Sequence, residues 1–174
     1  MDDCNPCKCP MEPKLQLGKD IEGETVDPTE YRRVIGSLRH LLHTRPDLAH
    51  SVGVVSRFME RPTIVHQKAV KQILRYVRGT VEFGLEYTCG GEGKLVGYND
   101  SSLAGDIDDR RSISGVVFYL NKSVISWVSQ KQKSVALSSC EVEFMAATAA
   151  ACQAIWLREL LSEVTGSARE PVKL

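Results

Sequence analysis

The sequence predicts an α+β chain: a small helical unit first, then a strand-rich half carrying one long helix. Three observations predict it. Apolar residues recur at three- and four-residue spacing between positions 28 and 79. After Gly79 the chain turns to short runs of β-branched and aromatic residues, separated by Gly, Asn and Asp. A long helical pattern then runs from Ser139 towards Gly166. The organisation expected is a polar tail over 1–26, a three-helix unit over 27–80 and a sheet-bearing domain over 81–174.

Residues 1–26 are polar, hold Pro10 and Pro13, and show little periodicity. They read as a tail or an extended connector. The first helix follows in "DPTEYRRVIGSLRHLLHT": Asp27 suits the N-cap, Pro28 the first helical position, and Glu30 completes a capping box. Tyr31, Val34, Ile35, Leu38, Leu41 and Leu42 form its apolar face. A second helix starts at Pro46, with Leu48, Val52, Val55 and Met59 on one side. In the third, Val70, Ile73, Leu74 and Val77 line the apolar side and Gly79 is the stop.

"FGLEYT", "KLVGYN", "GVVFYL" and "SVISWVS" are the strands expected of a largely antiparallel sheet, with turn chemistry in "GGEG" (90–93) and "LNKS" (120–123). In the long helix Ser139 reads as N-cap, Phe144, Ala151, Cys152 and Ile155 share a face, and Gly166 is the end. "EPVKL" begins another extended piece, so the chain reads as cut rather than finished. Trp127 and Trp156 are expected as core anchors, and "DIDDRR" (106–111) as a solvent-exposed turn.

Lys and Arg balance Asp and Glu at 22 each, so no global field draws in nucleic acid and any basic footprint is local. No apolar run is long enough to span a membrane, and the polar, acidic N-terminus has no apolar core behind a basic start. The protein is therefore expected in the cytoplasm. Of the six cysteines, Cys4, Cys7 and Cys9 form C-x-x-C-x-C. A closed zinc site needs four ligands. No second pair follows at finger-like spacing, which favours a tail with exposed thiols. Cys140 and Cys152 read as small buried helix residues.

Four blocks then carry a resemblance: "YRRVIGSLRHLLHTRPDLAHSVGVVSRFMERPTIVHQKAVKQILRYVRGT", "VGYNDSSLAGD", "DDRRSISGVVFYL" and "ISWVSQKQKSVALSSCEVEFMAATAAACQAIWLRELL". In order and spacing they resemble the C-terminal part of copia-type retrotransposon polyproteins. The resemblance implies a helical connection that follows the reverse transcriptase palm, then an incomplete RNase H-like mixed sheet with one long helix. In that family a few acids hold two divalent metals, Mg²⁺ in the ancestral enzyme, for hydrolysis of RNA–DNA hybrids. The acid of the family's Gly-Tyr-Ser-Asp block falls on Asp100, and the second acid of its Ser-Thr-Glu-Ala-Glu-Tyr block on Glu143. Asp100 and Glu143 are thus the implied catalytic and metal-binding residues. Glu141, two positions earlier on the helix, does not share a face with Glu143.

Departures from the family pattern imply lost hydrolysis. Ser102 and Leu103 stand where the family has Asp-Trp. Its third acid lies beyond the strand begun by "PVKL". With about half the ligands, a hard cation loses both affinity and geometry, and the expected outcome is a pseudo-enzyme. Two other readings stay open. Lys68, Lys71, Arg75 and Arg78 recur along the third helix, either as a phosphate-tracking stripe for nucleic acid or as a solvated face. The chain also resembles short reading frames of oomycete plant pathogens named as secreted RxLR effectors. That resemblance implies a host protein as partner and delivery into host cells, with a role in virulence. The nearest approach to the motif is "RYVR", Arg75–Arg78.

Overall fold

A computed structural model describes residues 5–13, 15–166 and 170–174. The fold is α+β, with four α-helices and a three-stranded antiparallel sheet among the described residues. It divides into two compact units. The first is Met1–Gly84 with Asp106–Asp108, and the second is Leu85–Gly105 with Asp109–Leu174. No helix among the described residues is long and apolar enough to cross a membrane.

In the first unit α1 spans Pro28–Leu41. The Asp27 side chain accepts the Thr29 N–H at 2.8 Å, which satisfies one of the donors a helix leaves open at its start. Pro46–Leu48 is a 3-10 turn, α2 spans Ala49–Val55, and a second 3-10 turn covers Ser56–Phe58. Helix α3 spans Ile64–Gly79. Tyr31, Ile35, Leu38, Leu48, Val52, Val55, Phe58, Val70 and Ile73 form the common core, as their spacing requires. The Tyr31 hydroxyl donates to the Val55 carbonyl at 2.9 Å, and burial pushes its pKa well up.

The end of α3 differs from expectation. Gly79 is the last helical residue and keeps a negative φ; Thr80 is the cap. The Thr80 hydroxyl donates to the Tyr76 carbonyl at 2.9 Å and accepts from Arg45 Nη2 at 2.7 Å. Arg45 is buried, with Asp47 bound at 2.8 Å and the Tyr76 hydroxyl donating to the same carboxylate at 2.9 Å. A polar network, not a glycine turn, closes this helix.

The described residues of the segment expected as a tail or connector form neither helix nor strand, but they are fastened. Leu17 is buried in the core. Val26 N–H donates to the Pro62 carbonyl and Ile64 N–H to the Glu24 carbonyl, both at 3.0 Å. The buried His66 takes the Thr63 N–H on Nδ1 at 3.0 Å, so its proton sits on Nε2 and bonds the Gly18 carbonyl at 2.8 Å. Its ring stacks on Phe58 at 4.0 Å.

In the second unit β1 spans Leu95–Ser102, β2 Ile113–Leu120 and β3 Ser123–Lys131, paired antiparallel in the order β1-β2-β3. A fourth expected strand, "FGLEYT", is absent: residues 83–88 have no ladder partner, and Phe83 and Tyr87 are exposed. Helix α4 spans Ser139–Thr165, capped by Ser138 rather than Ser139, and ends at Gly166 in the left-handed region. Beyond it, Lys173 pairs in parallel with Val96 of β1.

The face of α4 that meets the sheet is also not the one expected. Val142, Ala146, Ala150, Ala154 and Leu157 are buried, over a fully buried Phe118. Phe144 is 75 % and Trp156 57 % exposed, and Ile155, Cys140 and Cys152 are exposed too. Three alanines at four-residue spacing let the helix approach the sheet closely; the larger side chains lie on the other side. Trp156 therefore anchors no core, and Cys140 and Cys152 are surface thiols. Asp106 in the expected exposed turn is buried as well, at 4 % exposure.

Candidate functional site

Asp100 lies near the end of β1, opposite Gly115 of β2. Antiparallel partners point to the same face, and successive residues alternate. Leu95, with its partner Leu120, and Gly97, with Phe118, face α4, because Leu95 and Phe118 share a core with Ala150, Ala154 and Leu157. Asn99 and Ser101 continue that face. Val96, Tyr98 and Asp100 take the other, where the rings of Tyr98 and Tyr119 meet edge to face at 5.9 Å. Asp100 is exposed, and its Oδ1 accepts the N–H of Ser101 at 2.8 Å.

Glu143 is exposed near the start of α4, one residue past the buried Val142. It projects about 100° around the axis from that residue, within the arc that Val142, Ala150 and Ala154 span. Glu141 is committed elsewhere: its Oε2 accepts the Leu137 N–H at 2.7 Å, and its own N–H donates to Ser138 Oγ at 3.2 Å. This is a capping arrangement at the positive end of the helix. The register thus does not bring Asp100 and Glu143 onto a common face of the sheet. Among the described residues no three His, Cys, Asp or Glu side chains gather closely enough for a metal ion. Cys4 lies outside the described residues, and Cys7 and Cys9 are half-buried free thiols.

One residue that the sequence reading passed over sets the start of α4. Gln132, just beyond β3, donates from Nε2 to Ser114 Oγ at 2.8 Å and to the Val142 carbonyl at 3.2 Å. Its side chain fixes the first turn of the helix against the sheet, and with it the place of Glu143. In sequence Gln132 is one of two glutamines in "SQKQKS" (129–134), a polar run indistinguishable from a solvated loop.

In the first unit Lys68, Lys71 and Arg78 are exposed and Arg75 is half-buried. At about 100° per residue the four fall within roughly 80° of one another around α3. The described N-terminal segment lies along this helix. Arg75 Nε donates to the Asn5 carbonyl at 2.6 Å, and the Arg75 carbonyl accepts the Cys7 N–H at 3.3 Å.

No protein-family model matches the chain, and no solved structure matches it. Curated relatives do. The chain is 48% identical over 128 residues to a protein of Plasmopara viticola named Secreted RxLR effector protein 161, covering 73% of this chain and 90% of that one. It is 43% identical over 171 residues to the Retrovirus-related Pol polyprotein from transposon TNT 1-94 of Nicotiana tabacum, which covers 94% of this chain but 13% of the polyprotein. The Retrovirus-related Pol polyprotein from transposon RE1 of Arabidopsis thaliana matches at 40% over 159 residues, 91% of this chain and 11% of that one. The chain therefore spans little more than a tenth of the polyproteins it matches, yet nearly the whole of the effector-named relative. It belongs to the copia-type retrotransposon Pol polyprotein family.

Proposed function

We propose that this chain is a transposon-derived Pol segment whose second unit has an RNase H-like fold without two-metal hydrolysis of RNA–DNA hybrids. The fold half of this reading is supported by the order of elements: three antiparallel strands, a helix, then a chain that returns parallel to β1. The observation that carries the functional half is the register of β1, which sets Asp100 on the sheet face opposite α4 while Glu143 rides on α4. Magnesium takes oxygen donors in near-octahedral order, and carboxylates must converge to supply them. The donor chemistry of Asp100 and Glu143 suits magnesium, but their placement does not fit one ion. Ser102 in place of an acid removes a further charge. An assay on an RNA–DNA hybrid with Mg²⁺ or Mn²⁺ is expected to show no cleavage above an Asp100→Ala control. Robust cleavage lost in that variant would overturn the reading.

A second reading is favoured by the effector-named relative, of which 90% is covered: a stand-alone protein acting on host proteins inside plant cells. "RYVR" does not support it, because Arg75–Arg78 lie within α3 and Tyr76 is buried. Expression in leaf tissue, scored for cell death or its suppression, tests it; no phenotype would remove it.

A third reading, non-catalytic nucleic-acid binding, is favoured by the grouping of Lys68, Lys71, Arg75 and Arg78 on one side of α3. Salt-sensitive binding to a hybrid duplex, weakened by Lys71→Glu, is the expected outcome; salt-independent or absent binding would refute it.

A further inference from the structure

The contacts of residues 5–13 fall on the same side of α3 as its cations. Arg75 Nε–H, a donor suited to a phosphate oxygen, is spent on the Asn5 carbonyl at 2.6 Å. Gln72 Nε2 donates to Glu12 Oε1 at 3.2 Å, which places a carboxylate one helical turn from Lys68. Pro6 packs on Gly79 so closely that a Cβ there would stand 2.9 Å from the proline ring. Around the axis Lys68, Gln72, Arg75 and Gly79 lie within about 60° of one another. The segment therefore runs along the path a phosphate backbone would take.

Its attachment is graded. Downstream, Leu17 is buried and the Gly18 carbonyl is held by His66, so residues 17 and 18 are firmly placed. Upstream, the described hold is one arginine, one glutamine and a glycine contact. Met11 packs only at the margin of the core. Few buried apolar contacts and exposed hydrogen bonds mark a segment of low local stability.

We propose that residues 5–13 form an autoinhibitory strap that competes with nucleic-acid phosphates for α3. This rests on the nucleic-acid reading above and adds its regulation. The strap offers a main-chain carbonyl to Arg75 and a carboxylate beside the lysines. A duplex offers charged oxygens to both, and charge-assisted bonds are the stronger. A duplex must displace the strap to reach the Nε–H edge of Arg75, so its apparent affinity is reduced by the fraction of chains strapped. By linkage, bound duplex releases the strap.

The test uses the full chain, its Gly79→Ala variant and a Gly79→Ala/Arg75→Gln double variant, with circular dichroism to check folding. The added methyl displaces Pro6 without altering charge and suits the last helical position, whose φ is negative. Gly79→Ala is expected to bind an RNA–DNA hybrid on the order of five- to tenfold more tightly. Its salt slope should equal the parent's, because the same phosphate contacts form once the strap is displaced, and the double variant should lose the gain in affinity and show a slope shallower by about 0.9. Saturating hybrid should also speed alkylation of Cys7 and Cys9, read residue by residue, while leaving Cys89, Cys140 and Cys152 unchanged. Equal binding by parent and Gly79→Ala, with no change in Cys7 and Cys9 alkylation, would overturn the strap and leave the nucleic-acid reading standing. No binding by any folded variant would overturn both.

Discussion

Gly97 donates its backbone N–H to the Lys173 carbonyl at 2.8 Å, which joins the last described residues to β1 on the side away from β2. The same glycine faces Phe118. A Cβ built on it would lie 2.6 Å from the Phe118 ring and 2.6 Å from the Leu174 side chain. Close approach of β1, β2 and the 173–174 segment at one point thus depends on a residue without a side chain.

Gly97→Ala is expected to destabilise the second unit by about 1–3 kcal/mol through overpacking. For a chain of this size that lowers Tm by roughly 3–10 °C. A thermal melt measures it. An unchanged melt would mean that Phe118 and Leu174 do not hold their places.

The Arg45–Asp47–Tyr76 network makes the first unit sensitive to acid. Burial alone would raise the Asp47 pKa, but hydrogen bonds from Arg45 and Tyr76 outweigh it and hold the carboxyl below its usual value. A depressed folded-state pKa contributes stability above the unfolded-state value near 3.9 and loses it as pH falls through the folded value. The parent should therefore lose more stability between pH 6 and pH 3 than Asp47→Asn does. Urea midpoints at the two pH values give the comparison, and equal losses would count against the network.

Native-state thiol alkylation checks the orientation of α4. Cys89, Cys140 and Cys152 are exposed, whereas Cys7 and Cys9 are half-buried. The first three should react at rates close to those in denaturant, and Cys7 and Cys9 several-fold more slowly. A protected Cys152 would put the helix on its other face.

That orientation was the part of the fold least legible in the sequence. Helices α1 to α3 each alternate polar and apolar faces, so Tyr31, Ile35, Val52 and Ile73 could be placed inside from spacing alone. Helix α4 is apolar nearly all round, and periodicity then does not say which side meets the sheet. The larger side chains, Phe144 and Ile155, suggested one answer, but close packing on Phe118 demanded the alanine side. Residues 83–88 have strand composition without a strand partner, and pairing is a tertiary fact. Of the two candidate acids, Asp100 lies near a strand end and Glu143 near a helix start, positions that strand and helix patterning predict. What the sequence could not reveal was the face, because one residue of register inverts it.

Asp106 shows the same limit in the charged residues and yields the sharpest stability test. Its Oδ2 accepts from Arg57 Nη1 at 3.0 Å, with the Asp106 side chain 5 % and Arg57 19 % exposed. Its Oδ1 accepts the Asp108 N–H at 2.9 Å. In sequence, "DIDDRR" is a string of charges fit for solvent; in the fold, one of them is buried against an arginine from the turn after α2. Removing one partner of such a pair strands the other charge, whereas replacing both with apolar residues need not. Asp106→Ala is expected to cost about 3 kcal/mol. Arg57→Met combined with Asp106→Leu should recover most of that loss. Denaturant titration of the single and double variants measures the coupling, and a single variant as stable as the parent would show that the pair is not held.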